Sequence, residues 1–164
     1  MRLTMLKLKK TLFFILSFIS GFILLTIYYY AESIFRHTEE CTADWIIFNG
    51  QEQANLTLDF MYSENNKTGT VALSGTLLQK NKQTTTIRRD INYIWSENYD
   101  TTHFHSKNID KLAIIDNAED QQLSEILPDF YVYPDKNLSY NILTQGKHGF
   151  MFTVGNRAIL YCSK

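Results

Sequence analysis

NLTLDFMY, at residues 55–62, alternates apolar and polar side chains with a period of two. This period is typical of a β-strand with one buried face. TVALSGTLL, at 70–78, repeats the alternation, and SENNKTG between the two segments consists of turn-forming residues. The two segments therefore predict a β-hairpin. One face of its first strand carries only apolar and aromatic side chains, namely Leu56, Leu58, Phe60 and Tyr62.

Further short strands are predicted on the C-terminal side of this hairpin. They are TTTIRRDINYIW (84–95), YDTTHFHSK (99–107), DFYVY (129–133), LSYNILT (138–144), GFMFTV (149–154) and RAILYC (157–162). DNAEDQQLSEILP (116–128) predicts one helix, because Leu123, Ile126 and Leu127 form an apolar stripe and Pro128 ends it. Seven or eight antiparallel strands with one helix predict a β-rich α+β domain, built as a curved sheet or a partly open barrel.

The N-terminal part of the chain has a different character. Residues 11–31 carry no charge, and 21 such residues are enough helix to cross a bilayer. Residues 1–10 are basic, which favours a cytoplasmic N-terminus. The sequence thus predicts a basic tail (1–10), a transmembrane helix (11–31) and a domain outside the cytoplasm (32–164). The alternative is a cleaved signal peptide, which the tyrosines at 28–30 disfavour, because cleavage requires small residues at its site.

The charge balance bears on the partners of the outer domain. The chain has 16 basic and 17 acidic residues, and four of the basic ones lie in the N-terminal tail. The remaining 12 basic and 17 acidic residues give a net charge of −5. An acidic domain of this kind lacks the positive surface that nucleic acids require, so direct contact with DNA or RNA is not expected.

Cys41 and Cys162 lie near the two ends of the outer domain. An even pair in an oxidising compartment indicates a disulfide bond. The alternative is two unpaired buried thiols. A zinc site is disfavoured, because no CxxC spacing is present.

Several segments resemble those of a known family. They are CTA (41–43), GTVALSG (69–75), IRRDINYIW (87–95), LPDFYVY (127–133) and GFMFTVGNRAILYC (149–162). Together with the basic tail and single apolar segment, they resemble the FidL-like family of bacterial inner-membrane proteins, which includes the PsaF and MyfF type. This resemblance places the outer domain in the periplasm.

The resemblance implies a companion of a membrane-anchored, ToxR-like winged-helix regulator, whose periplasmic sensory domain it binds and stabilises. More distant companions of the ToxS and VtrC type form lipocalin-like barrels, so a small amphipathic ligand is expected by analogy. An envelope assembly factor, such as a fimbrial chaperone-like accessory protein, is the alternative function. An enzyme is not expected, because the sequence contains no nucleophile elbow, phosphate loop or zincin helix. No cofactor is expected either.

Arg89 lies on the apolar face of its predicted strand, where a guanidinium needs a partner. One interpretation is an internal ion pair with a carboxylate such as Asp59 or Asp129. A second is that a β-bulge turns the side chain out to solvent. The third makes Arg89 a contact for an anionic ligand or for a carboxylate of the regulator.

His103 and His105 share one face of a predicted strand. Two neighbouring imidazoles titrate near neutral pH, which suggests a pH-sensing role. Solvated surface histidines are the simpler interpretation. A metal site is disfavoured, because no third ligand is recognisable.

Overall fold

The computed structural model describes the backbone of residues 2–35 and 38–164, and the side chains of residues 15–31 and 40–164. The chain divides into two compact units, residues 1–38 and 39–164. The first contains one long helix, α1 (Arg2–Phe35). Within the described residues, no helix is both long and apolar enough to cross a membrane. The transmembrane segment therefore stays a prediction, and the side chains of residues 11–14 lie outside the described part.

The second unit is a closed barrel of eight antiparallel strands, each paired with its neighbour in the sequence and the last paired with the first. The strands are β1 (Thr38–Asn49), β2 (Glu52–Ser63), β3 (Thr68–Leu78), β4 (Thr84–Asn98), β5 (Thr101–Lys111), β6 (Asn137–Thr144), β7 (Gly149–Val154) and β8 (Arg157–Ser163). A short helix, α2 (Asp120–Ser124), and a 3₁₀ turn (Asp129–Tyr131) lie between β5 and β6.

The barrel corrects parts of the sequence interpretation. The sheet closes fully instead of forming a curved sheet or a partly open barrel. The strand β1 was missed, because its outward positions carry the exposed apolar side chains of Ile46 and Phe48, which hide the period of two. DFYVY (129–133) is not a strand. Its residues 130–132 are all buried in succession, which a strand with one buried face cannot achieve.

The core occupies the barrel interior and follows the predicted alternation. Every second residue of β2 from Ala54 to Phe60 is buried. The same is true of β4 from Thr85 to Trp95, so one face of this strand is buried over most of its length. The predicted hairpin of β2 and β3 is confirmed, and its register pairs Leu58 with Leu73.

A disulfide bond fixes the seam of the barrel. Cys41 on β1 and Cys162 on β8 are joined, with their Cα atoms 5.3 Å apart, as the sequence predicts. The pair Thr42–Ser163 beside this bond is the one register pair described between β1 and β8. Pairing along this seam is thus short, and the covalent bond supports it.

The two ends of the barrel differ. At one end, residues 112–136 connect β5 to β6 and cover the interior; we call this segment the plug. Buried plug residues include Ala118, Leu123, Leu127 and Phe130. The opposite end, where the β2–β3, β4–β5 and β6–β7 turns lie, is the mouth. The first strand also begins at the mouth, because β1 runs antiparallel to β2 before the turn at residues 50–51.

Candidate functional site

A cavity of about 530 Å³ opens at the mouth of the barrel. Its lining comes from β1, β2, β4–β7 and the β2–β3 and β4–β5 turns, and is dominated by aromatic rings and polar side chains. Small-molecule sites commonly have volumes of about 300–1,000 Å³. The cavity is therefore large enough for a small organic ligand.

Inward positions along two strands change from aromatic to acidic toward the mouth. These triplets are Phe60, Tyr62 and Glu64, of which Glu64 is the first residue after β2, and Tyr93, Trp95 and Glu97 on β4. Because successive side chains of a strand alternate between faces, residues two apart follow one another along the cavity wall. Asp100 in the β4–β5 turn and Thr102 and Phe104 on β5 show the opposite order along the chain, from acidic at the mouth to aromatic further in.

A cluster of aromatic rings forms the floor of the cavity. The rings of Tyr93 and Phe104 meet edge to face with centroids 5.4 Å apart, and Phe130 of the plug lies 6.2 Å from Phe104. Tyr93 is paired across the sheet with Gly69, and any Cβ at that glycine would clash with the tyrosine ring. The tyrosine ring therefore occupies the space that a side chain at position 69 would need.

The buried tyrosines near the floor are held in the neutral form. Burial raises the pKa of Tyr93 and of Tyr140, although a hydrogen bond from Tyr131 opposes the shift at Tyr140. The pKa of Tyr131 is also raised well above its usual value, first by burial and then by its neighbours. Of these phenols only that of Tyr93 lines the cavity, where it is a neutral group, and those of Tyr131 and Tyr140 face each other outside the lining.

Three aromatic rings surround the outer part of the cavity, and we call Tyr62, Trp95 and Phe150 the aromatic cage. The ring of Tyr62 lies edge-on to Trp95 and to Phe150, with centroids 6.2 and 6.4 Å apart. The Nζ atom of Lys67 lies 3.9 Å from the Trp95 ring centroid, and that of Lys164 lies 4.6 Å from the Phe150 centroid. The indole Nε1 of Trp95 is buried and has no hydrogen-bond acceptor among the described residues.

The guanidinium of Arg89 lies at the plug end of the barrel and not in this cavity. Its side chain is 1% exposed. The Nε atom donates to Asp116 Oδ2 at 2.8 Å, and a terminal nitrogen contacts Asp120 Oδ1 at 2.7 Å. It also donates to the carbonyl oxygen of Ala118 at 3.1 Å. Lys111 Nζ lies 3.4 Å from Asp116 and 3.8 Å from Asp120, which makes a charge-balanced cluster of four groups.

This cluster joins the plug to the wall of the barrel. Of the three interpretations of Arg89, the geometry is that of the internal ion pair, but the partners are Asp116 and Asp120 instead of Asp59 or Asp129. A role of Arg89 in ligand or partner contact has no geometric support and stays a prediction. The helix predicted over 116–128 is shorter in the structure: α2 begins at Asp120 with Glu119 as its N-cap, and Asp116 binds Arg89 ahead of it.

Comparisons with known proteins agree with the extent of the barrel. The family model of the YqeJ C-terminal domain matches residues 38–162, which contain β1 to β7 and all of β8 except its last residue. The chain belongs to the YqeJ C-terminal domain family. It is also 56% identical over 156 residues to the Escherichia coli (strain K12) protein described as "Uncharacterized protein YqeJ", covering 95% of this chain and 98% of that relative. Neither match confirms the resemblance to FidL-like or ToxS-type proteins.

The histidine pair of this YqeJ C-terminal domain lies on the outside of the barrel. The Nδ1 atom of His103 is 2.8 Å from Ser139 Oγ, and that of His105 is 2.8 Å from Asn137 Oδ1. His105 Nε2 also lies 3.6 Å from a carboxylate oxygen of Asp135. Both imidazoles thus bridge β5 to neighbouring polar groups, and a pH-sensing role stays a prediction.

The sequence analysis predicts strands for most of the residues that line the cavity, but it does not predict that they form a binding site. A signal was nevertheless present. FMYSE (60–64) and YIWSE (93–97) both follow the order aromatic, any residue, aromatic, any residue, glutamate. Only the barrel shows that the two segments lie on the same cavity wall. Among the described residues, no group of three or more His, Cys, Asp or Glu side chains is arranged to hold a metal ion.

The buried carboxylate of Asp116 predicts an acid-dependent loss of stability. Burial disfavours its charged form, but hydrogen bonds from Arg89 and Arg88 and the nearby cations outweigh burial and lower its pKa. Because its pKa is lower in the folded chain, the unfolded chain binds the proton first as the pH falls. The stabilisation is complete above the ordinary aspartate pKa of about 3.9 and is lost as the pH falls through the lower folded value.

We therefore expect Asp116→Asn to be less stable than the natural chain at pH 7, with the difference narrowing below about pH 4. Urea unfolding of the full chain in a neutral detergent, followed by tryptophan fluorescence at several pH values, measures this difference. Glu125→Gln, which changes an exposed carboxylate of the plug, is the control and should show no difference at any pH. If Asp116→Asn lowers the free energy of unfolding by the same amount at pH 3 and pH 7, the ionised Asp116 carboxylate does not stabilise the fold as we infer.

Proposed function

We propose that this chain is a non-catalytic, single-pass companion of a membrane-anchored ToxR-like winged-helix regulator in the bacterial inner membrane. In this proposal, residues 11–31 form the anchor, residues 1–10 lie in the cytoplasm and residues 32–164 form the periplasmic domain. The barrel binds the sensory domain of the regulator, stabilises it and contributes to signal sensing. Contact with DNA belongs to the regulator and not to this chain.

The observation that carries the proposal is the open cavity inside a closed barrel. A barrel of eight strands is just wide enough to hold one small ligand among its inward side chains. Binding of a small amphipathic molecule in such a site can change the conformation of the barrel and so affect a partner bound to it. This arrangement suits a sensor better than a purely structural subunit.

Two further observations support the location and the kind of chemistry. The Cys41–Cys162 bond favours an oxidising compartment such as the periplasm, because cytosolic reductants keep thiols reduced. The uncharged run at 11–31 with its basic flank supports an anchor with the N-terminus inside. The cavity lining offers aromatic surface and rim carboxylates, which is binding chemistry.

The experiment is capture of the tagged full-length chain from detergent-solubilised bacterial membranes, followed by identification of the proteins that co-purify. We expect a membrane-anchored winged-helix regulator to co-purify with this chain and not with an unrelated single-pass protein carrying the same tag. Deletion of the gene should lower the protein level of that regulator while its transcript is unchanged, and complementation should restore it.

Two results would contradict the companion role. One is a regulator whose level and output are unchanged in the deletion strain. The other is specific capture of pilin or other envelope subunits in place of a regulator, which would favour the envelope assembly factor. The experiment depends on no ligand, so it judges the companion role separately from the identity of the molecule in the cavity.

A further inference from the structure

The charged groups that line the cavity all have the same sign. Glu64, Glu97 and Asp100 lie in the lining at the mouth, and the lining contains no lysine, arginine or histidine. The three carboxylates are exposed, so solvent compensates their charge when the cavity holds no organic ligand. A ligand head at the mouth therefore meets three carboxylates, against two ammonium groups outside the lining, those of Lys67 and Lys164, which lie over cage rings.

The aromatic cage lies directly below two of these carboxylates. Tyr62 precedes Glu64 by two residues where β2 ends in the β2–β3 turn, and Trp95 precedes Glu97 by two residues on β4. The faces of aromatic rings carry negative electrostatic potential and attract cations, tryptophan most strongly. The aromatic cage and the carboxylates of the rim thus both favour a cationic group in the outer part of the cavity.

The chain itself shows this preference. Lys67 and Lys164 place their ammonium groups over the rings of Trp95 and Phe150, although neither lysine lines the cavity. Two of the three cage rings already bind a cation supplied by the chain. The remaining surface of these rings faces the cavity, together with the carboxylates.

Below the cage, the chemistry becomes apolar. Phe60 and Phe152 stack with centroids 5.2 Å apart, and Phe104 lies beside Tyr93 at the floor. Burial keeps the phenol of Tyr93 neutral. A ligand that fills about 530 Å³ therefore needs an apolar body for the floor and a cationic head for the mouth.

We propose that the mouth cavity binds an organic cation with an apolar body, such as a quaternary ammonium or protonated amine amphiphile. The body packs against the phenylalanines of the floor. The head lies within the aromatic cage and is neutralised by Glu64, Glu97 and Asp100. This inference deepens the proposed function, because it names the class of molecule that the companion senses.

The test compares probes of similar size and different charge on the full chain in a neutral maltoside detergent. The probes are benzyltrimethylammonium (cation), benzyl alcohol (neutral), phenylacetate (anion) and cholate (a larger anionic amphiphile). The chain contains two tryptophans, Trp45 and Trp95. In the Trp45→Phe variant, all tryptophan fluorescence therefore comes from Trp95, which lines the cavity. We expect saturable quenching of Trp95 by benzyltrimethylammonium, with tighter binding than for the other three probes.

Variants separate the contributions of charge and ring. Glu97→Gln and Glu64→Gln should each weaken cation binding, by roughly five-fold if the charges approach to about 4 Å in water. Glu125→Gln in the plug is the matched control and should leave binding unchanged. Trp95→Leu, measured by calorimetry, should weaken binding by roughly 2- to 30-fold. Lys67→Met removes the lysine from Trp95 and should strengthen binding of the probe.

The outcomes are distinct. Cation-selective binding that weakens in Glu97→Gln but not in Glu125→Gln supports the inference, and this holds even if Trp95→Leu fails to fold. Tighter binding of cholate or phenylacetate overturns the cationic assignment but leaves a ligand-binding companion in place. If none of the four probes binds, the inference is overturned as well, while the capture experiment still decides the companion role.

Discussion

Arg89→Met should lower the free energy of unfolding of the barrel by about 3–5 kcal/mol, because it leaves the buried carboxylate of Asp116 without its main partner. The side chain of Asp116 is fully buried and that of Arg89 is 1% exposed. Removal of one partner from such a pair forces the other to bear its desolvation cost alone. The expected effect is the largest among the single substitutions considered for this chain.

Arg88→Met is the matched control. Arg88 precedes Arg89 on β4, and its substitution by methionine removes the same positive charge. The Arg88 side chain, however, is exposed on the outer face of the barrel. Its backbone N–H donates to Asp116, and the substitution leaves that bond in place. A surface change of this kind usually alters stability by no more than about 0.5 kcal/mol.

Urea unfolding of the full chain in neutral detergent, followed by tryptophan fluorescence, measures both variants. A double-mutant cycle of Arg89→Met with Asp116→Asn gives the coupling energy of the pair. We expect the double variant to lose less than the sum of the single losses, because neither charge is then left unpaired. Equal stability of the Arg88 and Arg89 variants would show that the cluster does not hold the plug.

Loss of the Cys41–Cys162 bond should cost about 2–5 kcal/mol of stability. The bond links residues 121 positions apart, and closing a loop of this size restricts the unfolded chain strongly. The native barrel adds a second reason. Beside the disulfide, Thr42–Ser163 is the one register pair described between β1 and β8, so reduction removes the covalent link from a seam with little strand pairing.

Thermal unfolding of the full chain with and without reductant measures this effect. We expect a lower midpoint after reduction, and the same low midpoint for Cys41→Ser/Cys162→Ser in either condition. Non-reducing electrophoresis should show a faster-migrating species in the natural chain that is absent in Cys162→Ser. A reductant effect of similar size in the double variant would instead point to an unspecific action of the reductant.

At Arg89, the burial of the side chain was predictable from the sequence, but the identity of its partner was not. The alternation along β4 placed Arg89 on the buried face, and the cost of an unpaired buried charge required a partner. The partner itself was not deducible, because Asp116 lies 27 residues away on a segment that read as the start of a helix. In the structure Asp116 lies in the plug before α2, where it pairs with Arg89 of the barrel wall.

The sequence by itself determined the strand segments of β2 to β8, the pairing of β2 with β3 and the disulfide. Each of these depends on local chemistry: a period of two, turn residues between strands, or two cysteines in an oxidising setting. Closure of the barrel, the plug and the cavity were decided only by the tertiary structure. They depend on which distant segments lie side by side, and no local pattern specifies that FMYSE (60–64) and YIWSE (93–97) share one wall.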